Sequence, residues 1–189
     1  MKIESIFGNM PVIETDRLIL RKIEEKDIDD MFEYSSNPEV TKYLSYLHTD
    51  RQEAADYVLN KINQYKAGTC MIWGIEYKAN KKYIGACGYM HWDTNHHLAE
   101  LAYTLNQKYW GKGIASEIMK VLIDFGFSEM KLNRIEAQCW VDNKNSFKLM
   151  ERFNMHYEGI LRNRYFLKGS FQDMKLYSLL KKEYLEHQS

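Results

Sequence analysis

The sequence predicts a mixed α/β fold built around a central sheet. Two patterns carry this. Strand-like runs come in groups, Met71 to Leu105 in the middle of the chain and Met155 to Leu180 near its end, broken by short polar turns. Outside those groups apolar residues recur at helical spacing, as Ala54-Val58-Ile62-Tyr65 and as Ile114-Ile118-Val121-Leu122-Phe125. The 189 residues suit a single domain covering 1–189, with no repeat, linker or low-complexity stretch and only two prolines, Pro11 and Pro38.

Taken in order, Val12 to Ile23 reads as an extended segment in which Leu18 and Leu20 alternate with Arg17, Ile19 and Arg21. Glu25 to Ser35 reads as a short helix with Ile28, Met31 and Phe32 on one face, and Asn37-Pro38 as a turn. Thr49 to Gln52 has capping-box spacing with Thr49 as the cap, opening a helix that ends near Gly68. Met71 to Tyr77 and Tyr83 to Trp92 form a hairpin across Lys78-Ala79-Asn80-Lys81-Lys82, and Leu98 to Leu105 is a third strand. A helix runs from Gly113 to about Met130. Arg134 to Val141 is a strand and Asn145 to Phe153 a short helix. Met155 to Leu167 pairs with Phe171 to Leu180 across Lys168-Gly169-Ser170.

Composition excludes several classes of protein. Apolar residues make up 45% and charged ones 28%, the balance of an ordinary globular chain. The 26 basic residues cancel the 26 acidic ones, so bulk charge gives no reason to expect nucleic acid or an anionic membrane as partner. No apolar run approaches the ~20 residues that span a bilayer, and Met1 to Met10 lacks the features of a signal peptide. Cys70, Cys87 and Cys139 are odd in number and far apart, which suits buried free thiols in the cytoplasm and neither a disulfide framework nor a zinc site. No metal is expected.

The chemistry concentrates between Tyr103 and Ser116. A strand ends at Tyr103-Thr104-Leu105 and a helix opens at Gly113. A helix N-terminus presents unbonded amides and the positive end of its dipole, a ready site for an anion. Gly111 and Gly113 leave room for a phosphate, and Lys108 and Lys112 add local positive charge. Spacing alone fits a plain tight turn equally well. A P-loop is absent, and the dinucleotide fingerprint fails because the preceding strand belongs to a run of hairpins.

The stretch Trp110-Gly111-Lys112-Gly113-Ile114-Ala115 resembles the pyrophosphate-binding pattern Gln/Arg-x-x-Gly-x-Gly/Ala of the GNAT acyltransferase superfamily. Gly113 and Ala115 match, and Trp110 stands where Gln or Arg is usual. Four further stretches are similar to the ribosomal-protein N-terminal acetyltransferases (RimJ/RimL-like). They are Glu14 to Arg21, Ala99 to Tyr103, the Asn-x-x-Ser element Asn143-Lys144-Asn145-Ser146, and Asp173 to Leu179. In that branch Trp before the glycine turn is not unusual. The resemblance covers nearly the whole chain, and implies a mostly antiparallel twisted sheet with helices on both faces.

It implies acetyl-CoA as cosubstrate. The pantetheine arm would lie along Tyr103, Thr104 and Leu105. The pyrophosphate would sit on the amides of Gly111, Lys112, Gly113, Ile114 and Ala115, next to Trp110 and the Ser116 hydroxyl. Asn143 would meet the pantetheine arm and Ser146 lie near the sulfur. The tyrosine that many members use as general acid falls at Met150, which leaves Ser146 as the proton donor. Asn154-Met155 replaces the usual Gly-Phe.

Attack of an amine on a thioester also needs a base. Glu100 shares a strand face with Ala102 and Thr104 and is the first candidate, directly or through water, the alternative being a salt-bridged strand carboxylate. His91 is the second, with the titration range for the task; His96 and His97 fall in a turn. Lys144, Lys148 and Arg152 read either as a 3′-phosphate contact or as a solvated face. Among the aromatic residues of the middle strands, Trp92 is the candidate for a substrate contact.

Three functions stay open. The first is acetylation of a protein N-terminal α-amine, as on a ribosomal protein. The second is acetylation of a small molecule, a polyamine, aminoglycoside or amino acid, for which Asp27, Asp29, Asp30 and Glu33 could supply an acidic cleft. The third is a non-catalytic acyl-CoA-binding module. Acceptor choice would rest on Pro38 to Thr49 and Asp93 to His97. A homodimer is possible in this family.

Overall fold

The computed structural model describes residues 4–186, so the reading of Met1 to Met10 falls partly outside the described residues. In chain order the elements are α1 (Glu4–Phe7), β1 (Ile13–Glu14), β2 (Leu18–Arg21), α2 (Ile28–Ser35), α3 (Pro38–Thr41), α4 (Arg51–Lys66), β3 (Ile72–Tyr77), β4 (Lys82–Asp93), β5 (Leu98–Leu105), α5 (Ile114–Ser128), β6 (Arg134–Trp140), α6 (Lys144–Arg152), β7 (His156–Leu167), β8 (Ser170–Leu180) and α7 (Lys181–Glu186). Strand order is β1-β2-β3-β4-β5-β6-β8-β7. The pairings β1–β2, β2–β3, β3–β4, β6–β8 and β7–β8 are antiparallel, and β5–β6 is parallel. A parallel neighbour needs a crossover, and α5 is that crossover. The mixed, mostly antiparallel α/β class read from the sequence is the one observed.

The chain gathers into two compact units. The first runs up to Gly88 and takes in Tyr103–Glu117; the second comprises Tyr89–Ala102 and the residues from Ile118 onward.

In the first unit Leu18 and Leu20 are fully buried and lie opposite Tyr77 and Ile75 of β3. The extended segment expected over 12–23 is broken in two, because the Thr15 hydroxyl accepts from the Leu18 amide at 2.9 Å while the Thr15 amide donates to the Leu18 carbonyl at 3.0 Å. That local turn separates β1 from β2. The cap of α4 also lies one residue later than the spacing suggested. Asp50 accepts from the Glu53 amide at 2.9 Å, and Glu53 reaches back to the Thr49 amide at 2.5 Å, so the carboxylate outcompetes the Thr49 hydroxyl. Asn37 caps α3, with Pro38 at its first position.

In the second unit β6 runs beside β5 with Glu100 opposite Glu136, and beside β8 with Glu136 opposite Ser178. Lys168 (φ 53°) and Gly169 (φ 79°) turn the β7–β8 hairpin in the left-handed conformation that short hairpins favour. Helix α5 buries more than the expected stripe. Met119, Ile123 and Phe127 are buried along with Ile118 and Leu122, whereas Val121 and Phe125 are half-buried. The Tyr89 hydroxyl donates to the Leu122 carbonyl and ties β4 to this helix.

One close approach bears on the site. A Cβ on Gly85 would stand 2.1 Å from the Thr104 carbonyl oxygen and 3.1 Å from the Leu105 Cα, while the Asn106 amide donates to the Ile84 carbonyl at 2.8 Å. The obstacle is backbone and has no rotamer to move. Gly85→Ala should therefore lower the unfolding free energy by about 1–3 kcal/mol, as overpacking does, in urea denaturation. An unchanged midpoint would mean that the end of β5 yields freely.

Candidate active site

Beyond Leu105 the chain is fixed by side-chain bonds before it reaches α5. Asn106 is buried. Its side-chain Oδ1 accepts from the Lys108 amide at 3.0 Å and its side-chain Nδ2 donates to Glu33 at 2.9 Å. A single 3-10 turn, Gln107–Tyr109, follows. The Trp110 indole donates to the Leu105 carbonyl at 2.8 Å, which closes the turn on itself. Gly111 (φ 72°) and Gly113 (φ 75°) are both left-handed, so the backbone demands glycine before any ligand does. A Cβ at Gly111 would meet nothing within 4 Å, and one at Gly113 would meet only Arg17 Nη2 at 3.6 Å. The turn thus leaves open space above the first amides of α5, where the helix field favours an anion. This geometry suits a diphosphate. Lys112 lies 5.4 Å over the Tyr109 ring, and Lys108 pairs with Glu33 at 3.0 Å.

An arginine far away in sequence holds this turn. Arg17 Nη1 donates to the Lys112 carbonyl at 2.7 Å, and its Nε and Nη2 grip Glu117 of α5 at 2.7 and 2.6 Å. The Thr15 hydroxyl and the Arg17 amide donate to the other Glu117 oxygen. Burial pushes the Glu117 carboxyl up, but these hydrogen bonds outweigh it and hold the group below the usual range.

The second unit carries the titratable candidates. Glu100 is half-buried, and Gln138 Nε2 donates to its Oε2 at 3.0 Å. Burial pushes the Glu100 carboxyl above its usual range, and nearby Glu136 adds to this; His91, Arg164 and the Gln138 hydrogen bond oppose it. Arg134 bridges Glu136 and Glu158 at 2.8 Å each, and the Ser178 hydroxyl donates to Glu158 at 2.6 Å. His91 is exposed, whereas Trp92 is buried at 9% exposure, so it belongs to the core side of β4.

Asn143 caps α6 and accepts from the Ser146 amide at 3.2 Å. Ser146 is half-buried and its hydroxyl bonds the buried Cys139 thiol, whose pKa burial raises to about 11. Met150 is buried, so the position that holds a tyrosine elsewhere is a core position here. Lys144, Lys148 and Arg152 are exposed.

Residues 17–156 match the acetyltransferase (GNAT) domain family. The chain belongs to that family. It is 40% identical to an uncharacterized N-acetyltransferase, p20, of Bacillus licheniformis, over 93% of this chain and 99% of that one. It is 26% identical to the [ribosomal protein uS5]-alanine N-acetyltransferase of Escherichia coli (91% and 93% covered). It is 24% identical to the spermidine N(1)-acetyltransferase of Vibrio cholerae (89% and 96%). A GNAT acetyltransferase structure from Bacillus anthracis superposes with a TM-score of 0.81 at 27% identity, covering 92% of this chain and 100% of that one. The ribosomal L7/L12 α-N-protein acetyltransferase RimL in complex with coenzyme A superposes at 0.79 with 19% identity (92% and 99%). As a GNAT acetyltransferase the chain is an enzyme of acetyl transfer, and the acyl donor of this fold is acetyl-CoA.

Sequence reasoning singled out the turn at Gly111 and Gly113 but missed what supports it. Nothing local marks Arg17 and Glu117 as partners, since 100 positions separate them. It also missed Gln138, and Tyr46 within Pro38 to Thr49. Tyr46 bonds the Thr104 side chain and stacks on His48 at 5.0 Å, with Tyr57 5.8 Å away. Aromatic residues clustered in that segment were the available signal.

Because Gly113 is left-handed, a charge test there needs a shape control. Asn and Asp tolerate this conformation to similar degrees. Gly113→Asp should weaken acetyl-CoA binding by at least about tenfold relative to Gly113→Asn, since only the former sets a negative charge at the positive helix end. Equal affinities by calorimetry would remove the diphosphate from this turn. Arg17→Met should raise KM for acetyl-CoA several-fold with kcat little changed, because the clamp shapes a binding surface. A fall in kcat alone would count against that reading.

Proposed function

We propose that this GNAT acetyltransferase transfers an acetyl group from acetyl-CoA to the N-terminal α-amine of a protein, such as a ribosomal protein, in the cytoplasm, acting as one domain. The observation that carries the choice of acceptor is the state of the early carboxylates. Asp27 pairs with Arg21 at 2.7 Å, Asp29 with Arg51 at 2.5 Å, Asp30 with Lys82 at 2.6 Å and Glu33 with Lys108 at 3.0 Å. Each is already matched by a cation of the protein, so none is spare to receive a polycationic amine. The named uS5-alanine relative supports an α-amine acceptor, and the named spermidine relative supports the other reading. The three buried free thiols suit a reducing compartment.

In this reading Gly111, Lys112, Gly113, Ile114 and Ala115, with Trp110 and the Ser116 hydroxyl, receive the diphosphate of acetyl-CoA. The backbone of Tyr103, Thr104 and Leu105 and the Asn143 side chain hold its pantetheine arm. When bound, acetyl-CoA supplies an acetyl group activated as a thioester. Glu100 takes the proton from the attacking amine, directly or through water, and its raised pKa brings the base closer to the amine it must serve. Ser146 passes a proton to the leaving sulfur and takes one back from water, as Glu100 releases the amine proton to water.

The test uses amine ionisation. An α-amine has a pKa of about 7.7–8.0 and a lysine amine about 10.4, so near pH 7 the former is far more often neutral. Wild-type enzyme should acetylate an alanine- or serine-starting peptide and spare both spermidine and the same peptide with a blocked N-terminus and a free lysine. Equal turnover of the blocked peptide or of spermidine would overturn the acceptor assignment. Glu100→Gln should slow the reaction by ~10²–10⁴-fold at neutral pH, with partial recovery near pH 9 as the α-amine loses its proton unaided. Ser146→Ala should lower kcat and leave acetyl-CoA affinity within a few-fold, as for a group that acts on the transition state.

A further inference from the structure

Gln138 is the neighbour that touches the proposed base. It projects from β6 on the same side as Arg134 and Glu136, because residues two apart share a strand face. Its amide has two ends with opposite hydrogen-bonding character. One end, Nε2, donates to Glu100 Oε2 at 3.0 Å. The other, Oε1, is buried and has no hydrogen-bond partner among the described residues. No hydrogen bond at that end fixes the orientation of the amide. Only Glu100 does, and Glu100 is a group that must gain and lose a proton in every turnover.

We propose that Gln138 is the positioning residue of the base, holding Glu100 through one reversible amide in both of its protonation states. With Glu100 ionised, Nε2 donates to the carboxylate and leaves the second carboxylate oxygen for the amine proton. Once that proton has moved from the amine nitrogen to Glu100, the carboxylic acid is itself a donor. The amide, turned over about its terminal bond, then offers Oε1 as acceptor. The exchange trades which end is unpaired and never leaves Glu100 without a partner. A carboxylate at this position would repel ionised Glu100, and an aliphatic side chain would hold neither form. The inference rests on the reading of Glu100 as base.

The other groups facing Glu100 are His91 from β4, Glu136 from β6 and Arg164 from β7. Glu136 is itself tied to Arg134 at 2.8 Å. Of the groups that favour ionised Glu100, Gln138 acts through a hydrogen bond, so its removal tests that bond without removing a charge. The sign is fixed by chemistry: a hydrogen bond to the charged form favours it, so losing that bond raises the pH at which Glu100 ionises.

The experiment compares wild type with Gln138→Leu, Gln138→Glu and Glu100→Gln. It uses pH profiles of kcat/KM on an α-amine peptide, and a carbon-13 titration of the Glu100 carboxyl in the intact enzyme. Gln138→Leu should move the acidic limb and the carbon midpoint upward together by about half a pH unit or more, and Gln138→Glu further still. In wild type the Gln138 side-chain NH₂ resonance should titrate with the same midpoint as Glu100. Acetyl-CoA affinity within a few-fold of wild type certifies that the variants are folded, and Gln138→Met replaces Gln138→Leu if that variant fails this check. Midpoints unmoved in both Gln138 variants, or an NH₂ resonance indifferent to pH, would overturn the proposal. A Glu100→Gln profile that keeps, besides the limb of the α-amine itself, a limb at the carbon midpoint of Glu100 would instead remove Glu100 as base, and with it any part for Gln138 in catalysis. The carbon midpoint would still read the hydrogen bond separately.

Discussion

The glycine turn before α5 depends on one guanidinium. Arg17 joins the Lys112 carbonyl and the Glu117 carboxylate, and so fixes the exit of the turn and the first winding of α5 together. A helix terminus attracts anions only where its amides converge, and two left-handed glycines in sequence give the backbone unusual freedom. Without an external brace Gly111 and Gly113 would let those amides wander. The carboxylate of Glu117 would by itself oppose an anion nearby, and Arg17 cancels that charge while using it as an anchor. Trp110 braces the entry of the same turn through the Leu105 carbonyl, a task for which its indole N–H is suited where the family pattern has Gln or Arg.

Much of this was legible from local pattern. The hairpins across Lys78–Lys82 and Lys168–Ser170, the strand Leu98–Leu105 and the helix after Gly113 follow from period and turn chemistry, which act over a few residues. What failed was competition between neighbours of similar ability. Thr49 and Asp50 can both cap a helix, and the carboxylate won. Thr15 interrupted an otherwise extended stretch by bonding its own backbone. At the candidate site Glu100, Asn143 and Ser146 were visible because they are chemically conspicuous. Gln138 and Arg17 were not, because their significance lies in a partner 38 or 100 positions away.

The parallel pairing of β5 with β6 sets Glu100 opposite Glu136, an arrangement that costs energy wherever both are ionised. The second unit offsets that cost unevenly. Arg134 pairs with both Glu136 and Glu158, while Glu100 receives only a neutral amide at hydrogen-bond distance. Two carboxylates of the same sheet face are thereby driven apart in character, one salt-bridged and one held by a neutral amide and raised above its usual range by burial. Separation of that kind is how neighbouring acids acquire different tasks.

The reach of the Arg17 clamp also orders events in time. Its bonds and that of Thr15 close across 95 to 102 positions, so they contribute nothing until most of the chain has left the ribosome and the intervening strands and helices have been drawn together. Residues 106–113 can form their local bonds earlier, yet the support that fixes them arrives late. Maturation of the glycine turn is therefore tied to completion of the first unit, and a nascent or amino-terminally trimmed chain lacking Thr15 and Arg17 would carry the glycines without the rigidity that their brace supplies.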